Sequence, residues 1–79
     1  MVNALYKDSI GYVWIGTGTS LERFDGVHLK RYPVSGNNEK LKRVNAIAET
    51  EGNQIWMGNG MGLWRVNQEK RELDAIAAE

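Results

Sequence analysis

The sequence predicts an all-β fold, because one strand-rich pattern occurs twice along its 79 residues. The run Val13–Thr17 returns 42 residues later as Ile55–Asn59. At the same offset the two copies share identical residues, in the pairs Val2/Val44, Asn3/Asn45, Ala4/Ala46, Trp14/Trp56, Gly16/Gly58, Gly18/Gly60, Leu21/Leu63 and Arg23/Arg65. A repeat of roughly 40 to 45 residues with Trp and Gly in register is typical of a four-stranded propeller blade. We therefore expect two propeller-type blades, as a fragment of a larger β-propeller.

Four strands are expected in the first copy, and the second of them is the clearest. This strand is an almost unbroken run of β-branched and aromatic residues, which predicts a strand covered on both faces. Asp25-Gly26 predicts a two-residue type I′ hairpin, because such a turn needs positive φ at both positions and Asp and Gly tolerate it. The predicted strands are Val2–Lys7, Tyr12–Thr17, Leu21–Phe24 and Val27–Tyr32.

The second copy begins at Val44, after a polar connection that carries the turn formers Ser35-Gly36-Asn37-Asn38. In its first turn Asn53 stands where the first copy has Gly11, and we expect Asn53 to adopt the left-handed conformation. The tail should supply a fourth strand, yet residues 69–78 are mostly good helix formers, so strand and helix both stay open there. The predicted units are blade 1 (1–32), the connection (33–43) and blade 2 (44–79).

Composition excludes several classes of function. Ten basic and ten acidic residues give no net charge, so no global field attracts nucleic acid or an anionic membrane. The basic residues Lys30, Arg31, Lys40, Lys42 and Arg43 are interpreted as a solvated connection. Without cysteine, and with His28 as the sole histidine, a thiolate or multi-histidine metal site is excluded. No cofactor is expected, and no apolar run approaches the ~18 residues of a membrane span.

The repeated unit resembles the two-component regulator propeller repeat. The resemblance rests on Val-x-Ala-Leu/Ile, an acidic turn, Val/Ile-Trp-Ile-Gly-Thr, Gly and Leu-x-Arg-Phe-Asp. It covers Val2–Gly26 and, with changes at Thr50, Asn59 and Val66-Asn67, also Val44–Asn67. The resemblance implies a periplasmic propeller that senses a nutrient, often a polysaccharide fragment, and signals through a membrane helix to a histidine kinase. No kinase segment lies within these residues, and the chain is expected to be non-catalytic.

Tryptophans are the first candidates for binding a sugar. Trp14 and Trp56 occupy the same place in both copies, which favours a role in blade packing, and we expect both side chains to be buried. Trp64 corresponds to Glu22 in the first copy, so packing does not require it in every blade. Trp64 is therefore the candidate for stacking on a ligand, with packing as the alternative interpretation.

Repeated glycines and arginines are assigned a structural role. Gly16-x-Gly18 resembles a dinucleotide-binding loop, but such a loop opens a helix, and here a strand follows. We expect tight turns in which Gly provides positive φ. The arginines are expected to brace the blades. The full structural set is Trp14, Trp56, Gly16, Gly58, Gly18, Gly60, Leu21, Leu63, Arg23 and Arg65.

An enzymatic function would depend on carboxylates. Propeller glycosidases use two acids about 5 to 9 Å apart. The available carboxylates are not distinguished by spacing or apolar surroundings, and catalysis is not predicted. These carboxylates are Asp8, Glu22, Asp25, Glu49 and Glu51. The functions left open are a ligand sensor, a scaffold for protein partners and, third, a glycosidase.

Two blades alone are expected to leave apolar faces bare, carrying Val13, Ile15, Ile55 and Met57. We therefore predict either a segment of a longer propeller or an assembly in which two, three or four copies supply four, six or eight blades. The tail 69–78 is a candidate cover for these faces. Expected partners are other blades or copies and an oligosaccharide, without nucleic acid or membrane insertion.

Overall fold

The computed structural model describes residues 1–34 and 43–78, which form two four-stranded antiparallel sheets. In each sheet the strands lie side by side in chain order. This arrangement confirms the all-β prediction and is consistent with two propeller blades. Blade 1 consists of β1 (Val2–Lys7), β2 (Val13–Thr17), β3 (Leu21–Phe24) and β4 (Leu29–Arg31). Blade 2 consists of β5 (Ala46–Thr50), β6 (Gln54–Asn59), β7 (Gly62–Asn67) and β8 (Glu72–Ala78).

The helix-prone tail is a strand. β8 pairs with β7 in antiparallel register, and this pairing places Leu73 opposite Val66. Leu73 is fully buried, so packing against the sheet overrides the helix propensity of its neighbours. The tail therefore completes blade 2 and does not form a separate helical cover. Within the described ranges no helix is long and apolar enough to cross a membrane.

Side-chain alternation gives each sheet an inner face toward the other sheet and an outer face away from it. On blade 1, Tyr6, Trp14 and Arg23 lie opposite one another on the inner face. On blade 2, Ile47, Met57 and Trp64 do the same. The buried core between the sheets consists of Trp14, Leu21, Tyr32, Val44, Ile55, Met57, Trp64, Val66 and Leu73.

The prediction of bare apolar faces is correct for blade 1 and wrong for blade 2. Ile55 and Met57 are 0% and 1% exposed, because their side of β6 packs against blade 1. Val13 and Ile15 are only half-buried, and Leu5 beside them is 66% exposed. The outer face of blade 1 is thus uncovered, and its apolar part is formed by Leu5, Val13, Ile15, Phe24 and Leu29 beside the ion pair of Glu22 and Arg31.

The repeated glycines are not positive-φ turn residues, which corrects the prediction. Positive φ occurs instead at Gly11, Gly26 and Gly52 and, as expected, at Asn53 with φ 59°. Gly16 is required for close approach, since a Cβ placed on it would lie 2.7 Å from the Cβ of Val44. At Gly58 the nearest atom to such a Cβ is the carbonyl oxygen of Gly62, 3.8 Å away.

The turn after β3 is longer than the predicted type I′ hairpin. Phe24 pairs with Leu29, which leaves four residues between the strands. The Asp25 carboxylate accepts hydrogen bonds from the amides of Val27 (2.8 Å) and His28 (2.7 Å). Within this turn only Gly26 has positive φ, at 102°. The side chain of Asp25 therefore supports a wider turn.

Backbone hydrogen bonds join blade 1 and its connection to blade 2 at two separated places. The amides of Arg43 and Val44 donate to the carbonyls of Gly18 (2.7 Å) and Thr17 (2.9 Å). At the outermost strand, the amide of Leu73 donates to the carbonyl of Pro33 at 2.8 Å, beside a parallel bridge from Leu73 to Val34. The predicted turn formers 35–38 and the basic residues Lys40 and Lys42 lie outside the described residues.

Candidate functional site

The turn between β1 and β2 is organised by the carboxylate of Asp8, which is 4% exposed. One of its oxygens accepts from the amides of Ile10, Gly11 and Tyr12 at 2.9 to 3.0 Å. The other accepts from Nε1 of Trp14 at 2.8 Å. Burial raises the pKa of Asp8, but the bonds from Trp14 and the backbone outweigh it and hold the pKa below its usual value. This geometry fixes the buried indole.

Glu49 links the two blades at the same end of the sheets. Its carboxylate accepts from the Tyr6 hydroxyl at 3.2 Å, the Ser9 amide at 2.9 Å and the Asn53 amide nitrogen at 2.9 Å. The hydroxyl of Ser9 donates to it as well. The bond from Asn53, followed by that from the Ser9 hydroxyl, lowers the pKa of Glu49. Glu49 is thus an ionised acceptor that holds blade 1 against blade 2.

Two of the remaining candidate acids, Glu22 and Asp25, also have structural partners. Glu22 accepts from Ser20 Oγ at 3.0 Å and from Arg31 at 3.2 Å. Asp25 caps its own turn, and the amides of His28 and Val27 lower its pKa. The side chain of His28 is 72% exposed and lies 3.8 Å from Asp25. Within residues 1–34 and 43–78, no cluster of acids and histidine could hold a metal ion.

Arg23 fills one end of the inner face of blade 1. Its guanidinium lies 4.2 Å from the ring centre of Tyr12 and 5.8 Å from that of Tyr32. It also donates to the side-chain oxygen of Gln68 in blade 2 at 3.5 Å. Tyr32 is 1% exposed and packs 5.1 Å from the ring of Trp14, and burial raises the pKa of Tyr32. Arg23 therefore joins aromatic packing to a contact across the blades.

The equivalent place in blade 2 is an open polar groove. Gln54 and Asp74 stand where blade 1 has Tyr12 and Tyr32, 42 residues earlier. Arg65, the counterpart of Arg23, is exposed, with its guanidinium 5.8 Å from the ring centre of Trp56. The groove measures about 430 Å³ and is lined mainly by Asn53, Gln54, Arg65, Asn67, Gln68 and Asp74. These side chains offer donors and acceptors to a polar ligand.

Trp56 is half-buried, and the prediction of its burial is wrong. Its Nε1 donates to Thr50 Oγ1 at 2.8 Å, in the position that Asp8 occupies for Trp14. The side chain points to the outer face of blade 2, where residues 1–34 and 43–78 supply no further sheet. The burial of the repeated tryptophan thus depends on the next blade along the chain.

Trp64 lies inside the molecule. It is 9% exposed on the inner face of blade 2, and its Nε1 has no hydrogen-bond partner among the described residues. Burial of the ring favours the packing interpretation over sugar stacking.

The sequence analysis missed the polar groove, whose signal was the exchange of Tyr12 and Tyr32 for Gln54 and Asp74 between the copies.

Residues 1–19 match the family model described as two component regulator propeller. The matched segment contains β1, the Asp8 turn and β2, with Trp14 and Gly16. No curated protein and no solved structure shows a significant match.

Proposed function

We propose that this chain, which carries a two-component regulator propeller repeat, is a non-catalytic, ligand-sensing part of the extracytoplasmic propeller of a two-component sensor. The family match in blade 1 and the two antiparallel sheets support this proposal. In this view residues 1–32 and 44–79 are two blades joined by 33–43, and other blades of the same protein complete the propeller. The periplasm is the compartment that such a sensor domain occupies.

The polar groove of blade 2 is the observation that carries the sensing part of the proposal. Positions that repeat between the copies serve packing, whereas Gln54 and Asp74 depart from the repeat and open the groove around Arg65. Arginine donates in a fixed fork, carboxylate accepts, and a primary amide does both. Sugar hydroxyls also donate and accept, so an oligosaccharide suits this lining. The adjacent ring of Trp56 adds an apolar surface.

The test is binding of neutral oligosaccharides to the folded chain, measured by calorimetry and by the shift of the melting temperature. Binding to the native state alone raises that temperature, and the rise grows with the ratio of ligand concentration to the dissociation constant. Arg65→Ala should weaken binding about tenfold, because a hydrogen bond from a charged donor contributes about 1.5 kcal/mol. Arg31→Ala is the matched control, since Arg31 is 71% exposed on blade 1 and should leave binding unchanged.

Two other results would redirect the assignment. Release of reducing sugar from the oligosaccharides would replace sensing by glycosidase activity. No shift with any oligosaccharide would favour the second candidate, a scaffold for protein partners, which the exposed apolar outer face of blade 1 supports. The signalling part is tested in the gene, where a signal peptide upstream, further repeats, and a membrane helix followed by kinase motifs are expected.

A further inference from the structure

We propose that Arg23 and Glu49 are positioning residues for the polar groove of blade 2, because together they fix the side-chain amides of Gln68 and Asn53. Both amides line the groove, whereas neither Arg23 nor Glu49 is among the described residues that do. The fixed amides offer oxygen acceptors to a ligand that donates hydrogen bonds, such as a neutral sugar with free hydroxyls. This inference rests on the proposed function of the groove and names what sets its binding pattern.

A chain of side-chain hydrogen bonds runs through the groove wall from one charged group to another. Nη1 of Arg23, in blade 1, donates to Oε1 of Gln68 at 3.5 Å. Nε2 of Gln68 donates to Oδ1 of Asn53 at 3.1 Å and to its backbone oxygen at 3.3 Å. Nδ2 of Asn53 then donates to the carboxylate of Glu49 at 2.9 Å. The chain thus begins at a guanidinium and ends at a carboxylate.

The charges at the two ends fix the direction of this chain. Arginine only donates and an ionised carboxylate only accepts, whereas a primary amide does both. The bond from Asn53 is the largest cause that lowers the pKa of Glu49, so this carboxylate is ionised at neutral pH. Gln68 must therefore turn its oxygen to Arg23, and Asn53 must turn its nitrogen to Glu49. Reversal of either amide would set donor against donor or acceptor against acceptor.

Blade 1 holds both ends of the chain in place. The guanidinium of Arg23 lies 4.2 Å from the ring centre of Tyr12. Glu49 accepts from the Tyr6 hydroxyl at 3.2 Å and from the Ser9 amide at 2.9 Å. Hydrogen bonds in such a chain polarise one another, so each orientation supports the next. The contact between the blades consequently controls how the groove amides are oriented.

The bonds within the chain determine what the two amides can offer a ligand. Nε2 of Gln68 already donates twice, and the Asn53 side chain also faces Asp8. Burial raises the pKa of Asp8, and a side-chain hydrogen bond from Asn53 is among the bonds that lower it. Each amide oxygen has two lone pairs and accepts one of the bonds of the chain, from Arg23 or from Gln68. This wall therefore takes a ligand hydroxyl that donates, whereas a carboxylate or sulfate group has no hydrogen to offer it.

The first test follows the side-chain amide signals of Gln68 and Asn53 by NMR in the isotope-labelled chain without ligand. Glu49→Gln should shift the signals of Gln68, which Glu49 reaches through Asn53. Arg23→Met should likewise shift the signals of Asn53, which Arg23 reaches through Gln68. Arg23→Lys keeps a charged donor and should leave those signals close to their wild-type positions. Effects confined to the nearest amide in both Glu49→Gln and Arg23→Met would overturn the proposal.

Matched controls separate this coupling from a general change of the fold. Glu51 lies in the turn after β5 and Arg31 at the end of β4, and both are exposed. Glu51→Gln and Arg31→Met should leave the signals of both amides in place. Shifts as large in these controls as in the Glu49 and Arg23 variants would also overturn the proposal.

The second test is calorimetry with maltohexaose, cellohexaose and xylohexaose as neutral probes. A probe that binds the wild type should bind Arg23→Met and Glu49→Gln about fivefold more weakly, through loss of one well-oriented hydrogen bond. Arg23→Lys should recover most of this loss, which a role in packing alone would not predict. Equal affinity in the wild type, Arg23→Met and Glu49→Gln would overturn the positioning role and leave the sensing function standing. Absence of binding to the wild type, with the amide signals coupled as expected, would instead overturn the sensing function and the ligand class named here.

Discussion

Trp14 and Trp56 occupy the same repeat position, yet one is fully buried and the other is half-buried. Their local settings are alike, since each lies on a second strand opposite an arginine and donates through Nε1 to a turn residue. The difference is that blade 2 covers Trp14, while no other sheet in the described part of the chain covers Trp56. A repeat position therefore specifies the direction of a side chain, and the neighbouring blade specifies its burial.

The sharpest test of this comparison is removal of each indole. Trp14→Ala should cost about 3 to 5 kcal/mol through loss of packing and formation of a cavity, enough to unfold so small a domain. Trp56→Ala should cost less than about 2 kcal/mol in the monomeric chain, because part of that ring already faces water. Circular dichroism and urea unfolding in dilute solution measure both effects.

Trp14→Phe extends the first experiment to a variant that can fold. It retains much of the apolar volume but leaves the buried Asp8 without the bond from Nε1. We expect a melting temperature between those of the wild type and Trp14→Ala. Equal losses on removing Trp14 and Trp56 would contradict the difference in burial.

The turn residues that bind the two indoles should differ in their response to acid. The folded pKa of Asp8 is lowered, so its contribution is complete above the unfolded pKa of about 4 and is lost as pH falls through the folded pKa. Asp8→Asn should cost about 1.5 to 3 kcal/mol at neutral pH and less in acid. Thr50 does not ionise, and Thr50→Val should give a smaller, pH-independent loss.

Thermal unfolding of the wild type and both variants between pH 2 and 7 measures this difference, because carboxyl groups titrate within this range. Some pH dependence should remain in Asp8→Asn, because Asp25 and Glu49 also have lowered pKa values. A constant difference between the wild type and Asp8→Asn across this range would show that Asp8 does not titrate as the geometry requires.

The smallest effect should come from the glycines, where the repeats diverge in close packing. Gly16→Ala would place a Cβ 2.7 Å from that of Val44, and we expect a loss of about 1 to 3 kcal/mol from overpacking. Gly58→Ala meets no atom closer than 3.8 Å, and alanine lowers the entropy of the unfolded chain. It should be neutral or slightly stabilising. Urea unfolding of both variants measures these changes in the free energy of unfolding. A large loss for Gly58→Ala would contradict the difference in packing between the two glycines.

The sequence was sufficient for strands whose determinants are local. Val13 to Thr17 is such a strand, rich in β-branched and aromatic residues, and Asn53 adopts positive φ because its turn demands it. Long-range contacts could not be predicted from the sequence. The reason for Gly16 lies in Val44, 28 residues away, which no property of Gly16 itself reveals.

The sequence analysis left the tail open between strand and helix and missed the groove, for related reasons. The residues of β8 favour helix individually, and only the pairing of Leu73 with Val66 makes them a strand. The groove is open because blade 2 lacks equivalents of the two tyrosines of blade 1. This difference becomes visible once Tyr12 and Tyr32 are seen around Arg23. Whether a repeated structural residue is buried depends on which face of its blade lies against the other blade.

The backbone hydrogen bonds that join the blades at two separated places also constrain motion. One is the pair of bonds from Arg43 and Val44, and the other is the bond between Leu73 and Pro33 at the outermost strand. A hinge would open one edge of the interface while turning about the other, but here each edge is fastened. The two blades should consequently move as one rigid body. A displacement of blade 2 would then be passed to blade 1 through these bonds and through the buried core between the sheets.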